Sequence, residues 1–162
     1  MNRLRRQATI ALIALPACFY PLTLMAQQPG AGAGKVTISI AQPVPGSTVD
    51  HHVVKVRGAA SRKGNEHVWL LARRTDFAPL WWPQREVAVD PQSGRFEGPV
   101  TLGGPQDVDW DFDIAAVLAD TQAHTQLLDY WKKAMTTGDW RPIDLPRGIQ
   151  GLAVVKVKKT RR

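Results

Sequence analysis

Short runs of alternating apolar and polar residues fill most of the chain after residue 35. Val36, Ile38 and Ile40 alternate with polar neighbours, and this period of two predicts a β-strand with one buried face. Similar strand segments recur at His52 to Gly58, His67 to Arg73, Arg85 to Val89, Arg95 to Leu102, Trp110 to Ala119 and Ile149 to Lys158. About seven strands separated by turn residues are typical of an all-β sandwich.

Two segments depart from simple alternation. His67 to Arg73 is apolar at consecutive positions, which predicts a central strand with cover on both faces. A helical stripe then follows the strand that ends at Ala119, formed by His124, Leu127, Leu128, Trp131 and Met135. Asp120 or Thr121 can cap this helix and Gly138 can end it. The sequence therefore predicts one amphipathic helix inserted before the last strand.

The N-terminal residues have the three zones of an export signal. Arg3, Arg5 and Arg6 precede an uncharged apolar run from Ala8 to Ala26, and polar Gln27 follows. This order predicts a signal peptide over residues 1–26, and hence a protein of the periplasm or the extracellular space. Residues 27–34 are rich in Gly and Ala, and we expect a flexible leader there.

Two alternatives for the N-terminus remain open. Residues 8–26 are long enough to anchor the chain in a membrane, although Pro16 and Pro21 disfavour a continuous helix. The segment from Leu15 to Cys18 has the form of a lipoprotein signal, with Cys18 as the lipidated residue, but apolar residues continue beyond it. Cys18 is the single cysteine, so cleavage after Ala26 excludes disulfide and thiolate chemistry in the mature chain.

From Val36 to Lys158 the chain resembles an immunoglobulin-like β-sandwich domain of uncharacterised exported bacterial proteins. The resemblance is carried by Pro43 to Val49 with Gly58, Val68-Trp69-Leu70-Leu71 with Arg73, Trp82-Pro83-Gln84, Gly94-Arg95-Phe96 with Val100, Leu102 and Gly103, and Phe112-Asp113-Ile114 with Val117-Leu118-Ala119. It implies that residues 35–158 form the sandwich and that Trp69 belongs to its core. It implies no activity, because such sandwiches carry many unrelated functions.

Positive charge is concentrated at the two ends of the chain. The formal net charge is +7, and removal of Arg3, Arg5 and Arg6 with the signal lowers it to +4. Five of the remaining positive charges belong to Lys156, Lys158, Lys159, Arg161 and Arg162, without which the body has a charge near −1. Residues 159–162 therefore form a candidate basic tail for an anionic surface, or simply a solvated end. We expect no nucleic-acid partner for an exported chain.

The acidic and histidine residues are candidate cation ligands. Asp107, Asp109, Asp111 and Asp113 alternate with apolar residues, but the spacing lacks the Gly and Glu of a helix–loop–helix calcium site. On a strand these carboxylates share one face, and arginines on neighbouring strands (Arg73, Arg74, Arg85 or Arg95) can offset them. His51, His52, His67 and His124 lack the spacing of a helical zinc motif. We expect no metal and no other cofactor.

The chain also lacks the sequence motifs of common catalytic sites. Ser39, Ser47, Ser61 and Ser93 lie outside any Gly-x-Ser-x-Gly elbow, and no glycine-rich loop precedes a Lys-Ser/Thr pair. We therefore expect a protein that is not an enzyme, with a small hydrolase as the less favoured alternative.

Tryptophans and neighbouring apolar residues are the best candidates for a binding site. Phe77, Leu80, Trp81 and Trp82 lie in a predicted loop near Pro79 and Pro83, and Trp140 lies in the loop after the helix. Aromatic side chains on loops can anchor a partner, although the loop can equally fold over the sheet and bury them. We expect Trp81 to be more exposed than Trp82, and Trp110 and Trp131 to lie in the core.

These patterns together favour a non-catalytic interaction module of the cell envelope. The expected partner is an envelope protein or a glycan bound at the aromatic loop. The alternative is an accessory subunit or lipoprotein of an envelope complex. Sequence gives neither the ligand nor the oligomeric state, nor whether Asp107, Asp109, Asp111 and Asp113 bind a cation.

Overall fold

The computed structural model describes residues 36–160. The expected signal peptide over residues 1–26, the leader over residues 27–34, and the candidate tail residues Arg161 and Arg162 lie outside the described residues.

Residues 36–160 form a mainly β protein with two sheets and one α-helix. In chain order the strands are β1 (Thr37–Gln42), β2 (Thr48–Val49), β3 (Val53–Ser61), β4 (His67–Arg74), β5 (Trp82–Val87), β6 (Arg95–Thr101), β7 (Asp111–Ala119) and β8 (Ile149–Lys159). The helix α1 (Thr121–Thr137) lies between β7 and β8, and a 3₁₀ turn (Thr75–Phe77) follows β4. No helix formed by residues 36–160 has the length and apolarity needed to cross a membrane.

The strands are divided unequally between the sheets. One sheet has three strands in the order β1-β3-β6, and the other has five in the order β2-β8-β7-β4-β5. Neighbouring strands are antiparallel except for β2 and β8, whose parallel pairing joins Thr48 to Lys158. The inserted helix and seven strands at the predicted places are therefore confirmed, except that β5 spans Trp82–Val87 rather than Arg85 to Val89. The two-residue β2 is an additional strand, too short to leave a periodic signal in the sequence.

The five-stranded sheet is apolar on both faces. From β4, Val68, Leu70 and Ala72 join the core shared with the three-stranded sheet, whereas Trp69 and Leu71 join a second core beneath α1. The predicted central strand with two apolar faces is confirmed, because β4 lies between β7 and β5. Two covered faces explain why alternation is lost along this segment.

Helix α1 has the predicted ends. The Asp120 carboxylate accepts a hydrogen bond from the Ala123 N–H at 2.9 Å, so one of the free N–H groups of the first turn is satisfied. At the other end Gly138 adopts a left-handed conformation with φ of 71°, and its N–H donates to the Ala134 carbonyl. Ala123, Leu127 and Ala134 are fully buried. Met135, predicted on the same apolar stripe, is instead 59% exposed.

Candidate functional site

A groove of about 890 Å³ opens beside β5 and the C-terminal half of α1. The 3₁₀ turn, the ends of β3 and β6, and the loop after β6 complete its walls. Its apolar lining consists of Val53, Ala72, Phe77, Trp82, Pro83, Pro99, Phe112, Trp131, Met135 and Trp140. Its polar lining consists of Arg73, Arg74, Gln84, Arg85, Thr101, Gln106 and Asp107, together with the backbone at Gly103. Its volume suits a small molecule or a few side chains of a partner.

Three of the predicted aromatic residues meet in this groove. The Phe77 ring contacts the Trp82 ring edge-on with centroids 5.1 Å apart. The Trp82 Nε1–H donates to the Trp140 carbonyl at 2.6 Å, which fixes the loop after the helix against β5. Three separate segments of the chain are thereby joined, and Phe77 and Trp140 remain 40% and 43% exposed.

Trp81 does not belong to this surface. The expectation that Trp81 is more exposed than Trp82 is wrong, because Trp81 is only 3% exposed and packs in the core beneath α1. Its backbone exchanges two hydrogen bonds with Ile143, at 2.7 and 2.8 Å, and the Arg73 guanidinium lies 4.2 Å from its ring centre. Leu80 is half-buried and does not line the groove. Because β5 begins at Trp82, these residues are not one continuous loop.

Arg74 forms part of the groove wall, and its guanidinium contacts two aromatic rings and two carboxylates. Its guanidinium lies 4.9 Å from the Phe77 ring centre and 4.3 Å from that of Trp110. It donates to Asp76 at 2.7 and 2.9 Å and to Asp107 at 2.6 Å. These hydrogen bonds, first those to Asp76, raise the pKa of Arg74 and lower the pKa of Asp76. The arginine is therefore a fixed cation.

Trp110 differs from its expected position in the core. Its side chain is 42% exposed, because β7 begins at Asp111 and Trp110 precedes the strand. Its ring covers the Arg74 guanidinium at the surface. Trp131, also expected in the core, is partly buried and packs against the core beneath α1.

The four alternating aspartates do not form a common cluster on one strand face. Asp111 and Asp113 belong to β7, whereas Asp107 precedes it and Asp109 has a left-handed backbone with φ of 65°. Asp113 accepts from Arg73 at 2.8 Å and Asp107 accepts from Arg74, so the prediction that arginines offset these charges is confirmed for Arg73 and Arg74. Two of the four carboxylates are thus already neutralised.

Lys159 is not part of an exposed basic tail. Its side chain is fully buried, and its Nζ donates to the Leu102 carbonyl at 3.0 Å and the Gly104 carbonyl at 2.5 Å. Burial of a lysine requires such hydrogen bonds, since the ammonium group loses its water. Lys159 thereby ties the end of β8 to the loop that carries Asp107.

One group of side chains has the composition of a metal site. Ligand atoms of His67, Glu86 and His124 lie within 4.8 Å of one another. However, the two imidazole rings are stacked, with centroids 3.6 Å apart and planes 15° apart, so no single ion can lie in the plane of both. Trp69 Nε1–H also donates to His124 Nδ1 at 3.1 Å, whereas a ligating histidine normally donates its second N–H to an acceptor. The cluster instead packs α1 onto β4.

The chain was compared with known proteins. No protein-family model matches it, and no curated protein is significantly similar to it. Inference about function therefore depends on the groove. The sequence indicated Phe77, Trp82 and Trp140, but it placed Trp131 and Met135 on a buried helical stripe and gave no signal for Val53.

Proposed function

We propose that this chain is an exported, immunoglobulin-like β-sandwich domain that acts as a non-catalytic binding module of the cell envelope. The two sheets that share one core support the sandwich, and the charge and apolar zones of residues 1–26 support export. In this proposal the groove beside β5 holds a segment of a protein partner.

The observation that carries this proposal is the clustering of exposed apolar side chains. Among residues 36–160, eight large apolar side chains are exposed, and Val53, Phe77, Met135 and Trp140 all line the groove. Single exposed apolar residues are ordinary, but a contiguous group is typical of an interaction site. Aromatic residues in such a patch are frequent anchors of binding energy.

The polar lining favours a protein segment over a glycan. Sugar recognition needs many free hydrogen-bonding groups, yet several groups in this groove are used internally. Gln84 Oε1 accepts from the Thr101 N–H at 2.9 Å, and its amide donates to the Trp82 carbonyl at 3.3 Å. Asp107 is held by Arg74. What remains is mainly apolar and aromatic surface, which suits apolar side chains of a partner.

The same lining supports a non-catalytic role. It includes no Ser, Cys or His side chain among the described residues, and its carboxylate is paired with a fixed arginine. Nucleophilic and general-base catalysis need a reactive group beside a free base, and the carboxylate in this lining, Asp107, is held by Arg74.

Site-specific photo-crosslinking in intact cells tests the proposal. A photoreactive phenylalanine analogue replaces Met135 in the groove, and the matched control carries it at Leu152, an exposed apolar residue of β8 outside the groove. We expect one protein partner to crosslink from position 135 alone and to be lost when Phe77 and Trp140 are changed to alanine. The partner is then purified, and its direct binding should show the same dependence on the two aromatic residues.

Other outcomes separate the alternatives. Crosslinking from position 152 and not from 135 would assign binding to another face, as an accessory subunit of a complex would show. Correct export with no protein crosslink from either position would overturn the protein-partner proposal and direct attention to a glycan.

A further inference from the structure

Three arginines line the groove, and they differ in what surrounds them. Arg73 is paired with Asp113 and lies over the Trp81 ring. Arg74 is paired with Asp76 and Asp107 and lies between two aromatic rings. Arg85, an exposed residue of β5, takes part in none of the ion pairs or side-chain hydrogen bonds formed within residues 36–160. Its guanidinium donors are therefore available to a ligand.

The unpaired positive charge of the groove belongs to Arg85 within the described residues. Residues 36–160 contain 15 Lys and Arg against 14 Asp and Glu, a net charge of +1. The groove lining contains three arginines and one aspartate, Asp107, but Asp113 and Asp76 also pair with Arg73 and Arg74. Among residues 36–160, Arg85 is thus the groove arginine without a carboxylate partner, and its charge is complementary to an anionic ligand.

Apolar surface and free cation occur in the same groove. Phe77, Trp82 and Trp140 form its aromatic wall, and Met135 adds a flexible apolar side chain. A planar guanidinium can bind a carboxylate through two parallel hydrogen bonds, and this geometry selects carboxylates over neutral groups. A ligand that satisfies both features has an apolar or aromatic side chain next to an acidic one.

We propose that the groove selects an acidic, apolar protein segment, and that Arg85 binds a carboxylate of that segment. This inference rests on the proposed binding function of the groove and adds the chemical class of the partner. Arg74 contacts Phe77 of the aromatic wall, whereas Arg85 decides between acidic and neutral ligands.

Three probes that differ only in their charged group test this selection. The purified protein is titrated with 4-phenylbutyrate, 4-phenylbutyramide and 4-phenylbutylamine, and the indole N–H signals of Trp82 and Trp140 are followed by NMR. We expect the carboxylate to bind roughly tenfold more tightly than the amide, as one charge-assisted hydrogen-bond pair allows, and the amine to bind most weakly. In Arg85→Gln the carboxylate should lose this advantage, and Arg85→Lys should keep part of it.

Arg147→Gln is the matched control, because Arg147 is an exposed arginine outside the groove and its substitution removes the same charge. It should leave all three affinities unchanged. Equal binding of carboxylate and amide to the unaltered protein, with the groove indoles shifted by both, would overturn the role of Arg85 and leave the groove as a binding site. If none of the three probes shifts either indole, the groove itself fails as an apolar binding site. A carboxylate preference that survives in Arg85→Gln would assign recognition to another cation.

Discussion

The two ends of helix α1 face different surroundings. Ala123 and Leu127, in its N-terminal part, are completely buried against the small residues Ala115 and Ala119 of β7. Met135, two turns further along, is 59% exposed above the groove, although its neighbour Ala134 is buried. Both ends carry apolar residues at helical spacing, so periodicity alone does not decide which of them is buried. The opposing surface decides, because small sheet residues allow close approach whereas aromatic and arginine side chains leave space.

The largest difference is expected between a tryptophan replaced in the core beneath α1 and one replaced in the groove. Trp81→Ala should lower the free energy of unfolding by about 3–5 kcal/mol, since it leaves a cavity in the core beneath α1. Trp140→Ala should cost much less, roughly 1 kcal/mol or below, because its side chain is already exposed. Urea unfolding of both variants measures the two values. Similar losses for both would mean that the groove is as closed as the core.

A smaller effect is expected at Asp120, which caps the N-terminal end of α1. Asp120→Ala removes the acceptor for the Ala123 N–H and should destabilise the protein by about 1 kcal/mol. Asp120→Asn keeps an oxygen acceptor and should lie within a few tenths of a kcal/mol of the unaltered protein. Chemical denaturation of the pair separates the cap from general effects of the position. An equal loss in both variants would contradict the cap as its cause.

The smallest effect is expected just after the C-terminal end of α1, where Asp139 precedes Trp140. The Arg141 guanidinium donates to the Asp139 carboxylate at 2.7 and 2.9 Å and lowers the pKa of Asp139. A carboxylate whose pKa is lower in the folded state stabilises it above the unfolded pKa of about 3.9, and this contribution is lost as pH falls through the folded pKa. Carboxyl carbon NMR should show the Asp139 pKa rising towards its ordinary value in Arg141→Gln. The matched variant Arg147→Gln should leave it unchanged.

Local signals explain which features could be predicted. Asp120 and Gly138 act within one turn of the helix, so residue types near each end indicated where it ends, with Asp120 and Thr121 as alternative caps. Alternation and consecutive apolar residues likewise identified most of the strands, including β4 with its two covered faces, but not β2 or the start of β5. These predictions depend on neighbours in sequence, and they are confirmed.

Contacts between residues far apart in the sequence explain the predictions that were wrong. Trp81 is buried because its backbone pairs with Ile143, 62 positions further along the chain, and nothing near Trp81 indicates this partner. Lys159 lies in a run of basic residues typical of an exposed tail, yet its ammonium group binds carbonyls of a loop more than 50 positions earlier. A candidate aromatic loop was predicted by residue type, but which of its aromatic residues line the groove depends on where β5 begins.

The central place of β8 has a consequence for the order of assembly. This strand is the last in chain order within residues 36–160, and it lies between β2 and β7 rather than at an edge. Lys159 then holds the loop whose Gly104 N–H donates to Asp107, the partner of Arg74. During synthesis the five-stranded sheet therefore stays incomplete until β8 has emerged, and the groove wall is completed last. A nascent chain that stops before residue 159 should have much of its core sequence and no finished groove, so partner capture reports that the whole domain has been made.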